Sequence, residues 1–122
     1  MSDNKNDLSD RLYGFALNIV QLVRKLPKET AANEIGRQLL RSGTSIAANH
    51  EEARGGFSRE DFIYKINISF KEAKETFFWL RLLRDSKIVK EDDIEWLIKE
   101  AEEIRNILGT SVKTAKKRAA LR

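Results

Sequence analysis

The chain has 122 residues, of which 41% are hydrophobic and 34% are charged, with a formal net charge of +4. This length suits one domain with its own hydrophobic core, and the presence of only six Gly and one Pro favours long helices over a loop-rich sandwich or a disordered chain. The absence of Cys excludes disulfides, thiolate nucleophiles and cysteine metal sites.

The amino-terminal residues predict neither secretion nor membrane insertion. Residues 1–8 are polar and mixed in charge, whereas a signal peptide begins with a basic segment followed by an apolar run. No stretch approaches the roughly 18 consecutive apolar residues of a membrane span. We therefore expect a cytoplasmic protein with no membrane contact.

The first helix is predicted over residues 7–25. Pro27 ends it, because the residue before a proline avoids the helical conformation. Its apolar residues alternate at spacings of four and three, which places them in one stripe on the helix surface. They are Leu8, Leu12, Phe15, Ile19, Leu22 and Leu26.

The second helix is predicted over residues 30–54, with Thr30 as a candidate N-cap. Gly43 within this helix costs about 1 kcal/mol relative to alanine, so we expect a neighbouring helix to approach closely there. The helix is predicted to end at Gly55 and Gly56, since either glycine can take the left-handed conformation that closes a helix. The inward face comprises Ile35, Leu39, Ser42, Ile46, Asn49 and Ala53.

The third helix is predicted over residues 59–85 and has the clearest start signal in the sequence. Ser58 is placed to cap it, with Asp61 as the reciprocal acid, and Phe57 and Phe62 occupy the positions of a hydrophobic staple. The inward stripe comprises Phe62, Ile66, Phe70, Ala73, Phe77, Leu80 and either Leu83 or Arg84.

This third helix has more apolar surface than one stripe requires. Successive residues are 100° apart, so the run from Phe77 to Leu80 points in four directions around the helix. A helix that is apolar on two sides is usually buried on two sides, and in a small bundle the second side then faces another subunit. The predicted oligomer interface comprises Tyr64, Ile68, Phe78, Trp79 and Leu82.

The fourth helix is predicted over residues 90–117. Acidic residues collect in its first turn and basic residues near its end, and both complement the helix dipole. Four helices of matched length joined by short links predict a single domain over residues 1–122, an all-α antiparallel up-down-up-down four-helix bundle. The apolar stripe of the fourth helix comprises Ile94, Leu97, Ala101, Ile104 and Leu108.

Basic residues on three helices are candidates for nucleic-acid binding, because Lys and Arg side chains can contact phosphates. The carboxyl-terminal tail, residues 113–122, is basic and contains no acidic residue. For any single residue, a solvated helix face is the simpler interpretation. The candidates are Arg37, Arg41, Lys71, Lys74, Arg81, Arg84, Lys113, Lys116, Lys117 and Arg118.

The sequence predicts no catalytic, cofactor-binding or metal site. A di-metal bundle needs two Glu-x-x-His pairs, and this chain has a single histidine, His50, which we expect at the surface or in an interface. No serine lies in a nucleophile motif. The polar residues Ser42, Ser45 and Asn49 are interpreted as structural, with the hydroxyls bonding the preceding turn and Asn49 bonding a neighbouring helix. A recognition patch is the alternative.

Several short motifs occur in order between Arg41 and Leu83. They are SGTSIAAN at residues 42–49, then Glu52 with Ala53, Ser58, Phe62, Lys65 with Ile66, KEA at residues 71–73, Glu75 with Thr76, and Trp79 with Leu80. In these motifs the chain resembles the bacterial four helix bundle protein family, the proteins encoded in intervening sequences of large-subunit ribosomal RNA genes. The resemblance implies a left-handed four-helix bundle that assembles as a ring-like homopentamer.

A more distant resemblance extends to the accessory variability protein of diversity-generating retroelements, a basic pentameric barrel that works with a reverse transcriptase and nucleic acid. It implies a reverse transcriptase or another protein, and RNA or DNA, as partners, although the nearly neutral body of this chain departs from that strongly basic pattern. We expect a non-enzymatic oligomeric scaffold that binds RNA or another nucleic acid through basic surface residues. The alternative is a protein–protein interaction module that binds no nucleic acid.

Overall fold

A computed structural model describes residues 7–121 and contains four α-helices and no β-strand within that range. The helices are α1 (Asp7–Arg24), α2 (Thr30–Arg54), α3 (Arg59–Asp85) and α4 (Glu91–Ala120). This all-α architecture is consistent with a four-helix bundle. None of the four helices has an apolar stretch long enough to cross a bilayer.

The four helices enclose a hydrophobic core. α2 packs extensively against α1 and α3, and α3 against α4, whereas α1 and α4 contact each other less. Arg11 of α1 joins these last two helices, because its Nε and Nη2 donate to the two carboxylate oxygens of Glu100 at 2.7 Å. These hydrogen bonds lower the pKa of Glu100. The largest fully buried apolar side chains are Leu12, Phe15, Ile19, Leu39, Ile46, Ile66, Leu80, Leu83, Ile94, Ile104 and Leu108.

The start of α3 confirms the predicted N-cap. Ser58 Oγ accepts a hydrogen bond from the backbone N–H of Asp61 at 3.0 Å. The predicted hydrophobic staple is wrong, because Phe57 is fully exposed while Phe62 packs against the core. The start of α3 is therefore held by the cap at Ser58 and by the packing of Phe62.

Both ends of α2 differ from the sequence prediction. Thr30 already belongs to the helix, so the N-cap position falls on Glu29, whose side chain makes no capping hydrogen bond. At the other end Gly55 has φ −93° and ψ 6°, and no glycine in the described chain has a positive φ. The predicted left-handed closure is wrong, because the Gly55 N–H donates to the carbonyl oxygens of Glu51 and Glu52 and continues the right-handed turn.

Gly43 lies at a close approach between α1 and α2. A Cβ atom at this position would lie 2.9 Å from Cγ2 of Ile19, which is fully buried in α1. The close helix approach predicted at Gly43 is therefore confirmed.

Buried hydroxyl groups connect α2 with α3. Ser69 Oγ donates to a backbone carbonyl oxygen of α2 at 2.8 Å, and Thr76 Oγ1 lies 2.9 Å from Ser42 Oγ. Asn49 is different, because its Nδ2 donates to the carbonyl oxygen of Ser45 in its own helix at 2.9 Å. The predicted bond from Asn49 to a neighbouring helix is wrong, since its amide bonds the preceding turn of its own helix.

α4 continues to Ala120, beyond its predicted end at residue 117. Its last buried residue is Val112, so the final turns extend past the core. Ala119 and Ala120 are strong helix formers, and the basic residues of this segment complement the helix dipole, which explains the extra turn. Arg122, the last residue of the predicted basic tail, lies outside the described residues.

Candidate nucleic-acid interface

A groove of about 640 Å³ lies between α3 and α4. Phe70 lines it from α3 and Gly109 from α4. A Cβ atom at position 109 would lie 3.1 Å from the Phe70 ring, so the glycine lets this ring pack against the α4 backbone. Phe70 and Phe77 belong to the predicted inward stripe, but both are only partly buried at this edge of the core. The polar residues that line the groove are Lys74, Arg105, Asn106, Thr110 and Lys113.

Three basic side chains pack on aromatic rings along this edge. Lys74 Nζ lies 4.5 Å from the centroid of the Phe70 ring. The guanidinium carbons of Arg81 and Arg105 lie 4.6 Å and 4.7 Å from the centroid of the Phe77 ring. Because a ring attracts a cation placed over it, these contacts hold three positive charges at defined positions.

A second depression of about 340 Å³ lies on the same pair of helices and is lined by Arg59, Phe62 and Arg118. Phe62, Phe70 and Phe77 follow one another at spacings of eight and seven residues. At 1.5 Å per residue, these spacings are about 12 Å and about 10.5 Å along the helix axis. Aromatic rings and basic side chains therefore lie next to each other along most of α3. We refer to the surface that includes both depressions and the Phe77 ring as the α3–α4 groove.

The carboxyl-terminal part of α4 carries only positive charge. No Asp or Glu occurs between Ile104 and Leu121. The helix continues through this segment, and its four predicted nucleic-acid-binding residues are all exposed. They are Lys113, Lys116, Lys117 and Arg118.

Three other predicted nucleic-acid-binding residues are paired with carboxylates. Arg41 contacts two glutamates of α3, Arg84 contacts Asp85 at 2.9 Å, and Arg37 lies 4.0 Å from a glutamate one turn earlier. Their charge is therefore partly neutralised. The predicted residues that form no ion pair within residues 7–121 are Lys71, Lys74, Arg81, Lys113, Lys116, Lys117 and Arg118.

Trp79, predicted at the oligomer interface, is held within its own protomer. Its Nε1 donates to Glu75 at 2.9 Å, and Arg41 donates to the same carboxylate. Burial alone would raise the pKa of Glu75, but these two hydrogen bonds outweigh burial and lower it. Trp79 also packs against the core, so only part of its ring is available to a partner.

The other predicted interface residues form an exposed apolar strip. Tyr64, Phe78 and Leu82 are 63%, 47% and 36% exposed, and Ile68 is half-buried. The spacing of these residues places them on the side of α3 that faces away from the core. We refer to Tyr64, Ile68, Phe78 and Leu82 as the α3 strip.

A second apolar surface, which the sequence analysis missed, lies between α1 and α2. It is a groove of about 350 Å³ in which Tyr13, Leu17 and Val20 of α1 face Ala47 and Ala48 of α2. Tyr13, Leu17 and Val20 are four and three residues apart, which is the spacing of a helical stripe. That spacing could have revealed a second apolar side on α1, as it did on α3.

His50 is buried, so its predicted place at the surface or in an interface is wrong. The first turn of α1 covers it: Ser9 Oγ lies 3.4 Å from His50 Nδ1, and Arg54 donates to the same hydroxyl at 2.6 Å. Burial lowers the pKa of His50. Ser9 and His50 are only 7% and 8% exposed, so this contact between a serine and a histidine gives a substrate no access to either group.

Two basic residues of the α3–α4 groove, Arg59 and Arg105, are absent from the predicted site. Arg105 shares one helix face with Gly109 and Lys113, each four residues from the next, and that pattern could have identified it.

Among residues 7–121, no group of three or more His, Asp or Glu side chains could hold a metal ion.

Comparisons with known proteins agree with this architecture. A family model described as 23S rRNA-intervening sequence protein matches residues 4–110. The chain is also similar to a crystal structure of a protein with unknown function from the S23 ribosomal protein family of Bacteroides thetaiotaomicron. The two are 38% identical, the match covers 87% of this chain and 98% of that chain, and the TM-score is 0.79. No curated protein matches the chain significantly.

Proposed function

Because this chain belongs to the 23S rRNA-intervening sequence protein family, we propose that it is a non-enzymatic oligomeric scaffold that binds RNA or another nucleic acid through basic surface residues. One observation carries this proposal. The carboxyl-terminal part of α4, from Ile104 to Leu121, presents lysines and arginines with no carboxylate between them. An exposed surface of this kind attracts phosphates without reading a base sequence.

Charge placement supports the proposal more strongly than net charge does. The formal net charge is only +4, but all acidic residues of α4 precede Ile104, while all its basic residues except Lys99 follow it. A local positive surface can attract a polyanion even when the whole molecule is nearly neutral. Repetition of the same surface in an oligomer would increase the affinity further.

We also propose that the helices follow an up-down-up-down order in a left-handed bundle, and that the bundles form a ring-like homopentamer. The helix order is supported by contacts between opposite ends of consecutive helices, such as Ser9 near His50 and Arg84 near Glu95. Assembly is supported by the exposed α3 strip. The handedness of the bundle and the number five come from the family resemblance alone.

Binding of a fluorescein-labelled structured RNA, measured by anisotropy over a salt series, tests the proposed function. For single-stranded regions we expect the logarithm of the affinity to fall with the logarithm of the salt concentration by about 0.7 for each phosphate contacted. A variant in which Lys116 and Lys117 are replaced by Gln should bind more weakly and with a smaller slope. No binding of the unaltered protein at low salt would reject the proposal.

The competing function is a protein–protein interaction module that binds no nucleic acid. The apolar groove between α1 and α2 favours it, because nearly all of its lining is apolar and such surfaces often contact other proteins. The same titration separates the two functions: an interaction module gives no salt-dependent RNA binding.

A further inference from the structure

We propose that the α3–α4 groove binds the sugar–phosphate backbone of a single-stranded nucleic acid. This inference rests on the nucleic-acid binding proposed above and assigns it to one surface. It also assigns roles to Arg59 and Arg105, which the sequence analysis did not include.

The basic residues of the groove form three pairs, each with one member from α3 and one from α4. Arg81 and Arg105 share the Phe77 ring, while Lys74 and Lys113 line the groove beside Phe70. Arg59 and Arg118 flank Phe62. The distance from Arg59 to Arg81 along the α3 axis is about 33 Å at 1.5 Å per residue. A strand that follows the groove therefore meets cations from both helices at three places, beside Phe62, Phe70 and Phe77.

The aromatic rings determine which part of a nucleic acid the groove can recognise. Basic side chains lie over Phe70 and Phe77 at 4.5–4.7 Å from the ring centroids. These rings are therefore covered and cannot serve as free platforms on which bases stack. The rings instead hold the basic side chains in place before a phosphate binds, which reduces the side-chain entropy lost on binding. Recognition by this groove is consequently directed at the backbone and tolerates any base sequence.

A duplex and a single strand differ in how well they can follow this groove. A DNA duplex is stiff, with a persistence length of about 50 nm, so its phosphates keep a fixed helical path and cannot adjust to cations on two helices. A flexible single strand can bend and place successive phosphates beside these cations. Two acidic side chains oppose the groove cations: Glu102 Oε2 lies 3.7 Å from Arg105 Nη2 on the same helix, and Asp85, one turn after Arg81, is close enough for Arg81 to contribute to its lowered pKa.

The test uses fluorescence anisotropy with a labelled 12-nucleotide oligouridylate and an RNA duplex of 12 base pairs. The groove variant combines Lys74→Ala with Lys113→Ala, and the control combines Arg24→Ala with Lys28→Ala, which removes the same charge elsewhere on the surface. The loss of two phosphate contacts should reduce the salt slope for the single strand by about 1.4 and weaken binding at low salt by at least about tenfold. The control should change binding by less than about twofold.

All four substituted residues are exposed, so both variants should fold, and circular dichroism verifies this. A second variant, Thr110→Glu, places a carboxylate in the groove and should also weaken binding of the single strand. If the unaltered protein binds RNA but the groove variant and the control behave alike, or if the duplex binds as tightly as the single strand, the groove assignment is wrong while the proposed function stands. If the unaltered protein binds neither probe, the proposed function fails as well.

Discussion

The helices α1 and α2 each contain an internal glycine, Gly14 and Gly43, and the two sites differ in the space available for a side chain. A Cβ atom at Gly14 would meet nothing within 4 Å, whereas one at Gly43 would lie 2.9 Å and 3.0 Å from two carbon atoms of Ile19. Gly14→Ala should therefore raise the free energy of unfolding by about 1 kcal/mol, the usual helix preference for alanine over glycine.

Gly43→Ala is the matched counterpart, with the same chemical change in a crowded site. The branched side chain of Ile19 is fully buried and cannot turn away, so overpacking of about 1–3 kcal/mol should offset or exceed the gain in helix preference. Urea unfolding followed by circular dichroism measures both variants. Equal stabilisation by the two substitutions would show that α1 and α2 are not in close contact at Gly43.

His50 should make stability depend on pH near neutrality. Its burial against Ser9 lowers the pKa of His50 below the ordinary value of 6.5, and Arg54 acts in the same direction while Glu51 opposes it. The unfolded chain then binds a proton more readily than the folded one. The free energy of unfolding should therefore decrease as the pH falls below about 6.5, by at most about 1.4 kcal/mol per pH unit, until the lowered pKa is reached.

His50→Gln isolates this effect, because the chain has no other histidine. Glu75, Asp85 and Glu100 also have lowered pKa values, but their contribution to stability is lost only at more acidic pH, as carboxylates protonate below about pH 5. Urea unfolding at several pH values between about 5.5 and 7.5 should show a slope for the unaltered protein and a flatter profile for the variant. The same slope in both proteins would contradict a buried neutral imidazole.

At the scale of the helices, the apolar spacing predicted which side of each helix faces the core, but not how deep each residue lies. Leu12, Phe15 and Ile19 are buried as predicted. Phe70 and Phe77 had the same spacing, yet both are only partly buried: Phe70 lines the α3–α4 groove, and the Phe77 ring lies against Arg81 and Arg105. The spacing gives the angle around a helix, whereas depth depends on where the neighbouring helix lies, and a single helix does not contain that information.

The ends of the helices were predictable where the signal is local. The cap at Ser58 depends on residues within one turn and is confirmed.

Contacts between helices were not predictable in this way. The burial of His50 depends on Ser9, far away in the sequence, and the pairing of Arg41 depends on glutamates of another helix. Such contacts between helices are the reason why the sequence alone could not predict that His50 is buried or that Arg41 is paired, and the predicted nucleic-acid-binding residues stay predictions.

At the scale of the whole molecule, the single domain over residues 1–122 and the assembly of several subunits both stay predictions. Two apolar surfaces lie on different sides of the bundle: the α3 strip and the groove between α1 and α2. A surface that pairs with a different surface of the next copy generates a ring when the rotation closes. The proposed ring needs two different contact surfaces on each protomer, and these two apolar surfaces are the candidates for them.

Light scattering behind a sizing column should give the unaltered protein a mass that is a multiple of 14.1 kDa, five times this value for a pentamer. Phe78→Glu combined with Leu82→Glu should give monomers, because a carboxylate buried in an apolar interface without a partner is strongly unfavourable. These monomers should keep their helical circular dichroism spectrum, because both side chains are exposed in the protomer. Phe57→Glu combined with Leu121→Glu is the matched control, since it places the same charges on exposed apolar residues outside the α3 strip, and it should leave the assembly intact. A monomeric unaltered protein at micromolar concentration would remove the basis for an oligomer, whereas an intact assembly of the Phe78 and Leu82 variant would move the interface away from the α3 strip.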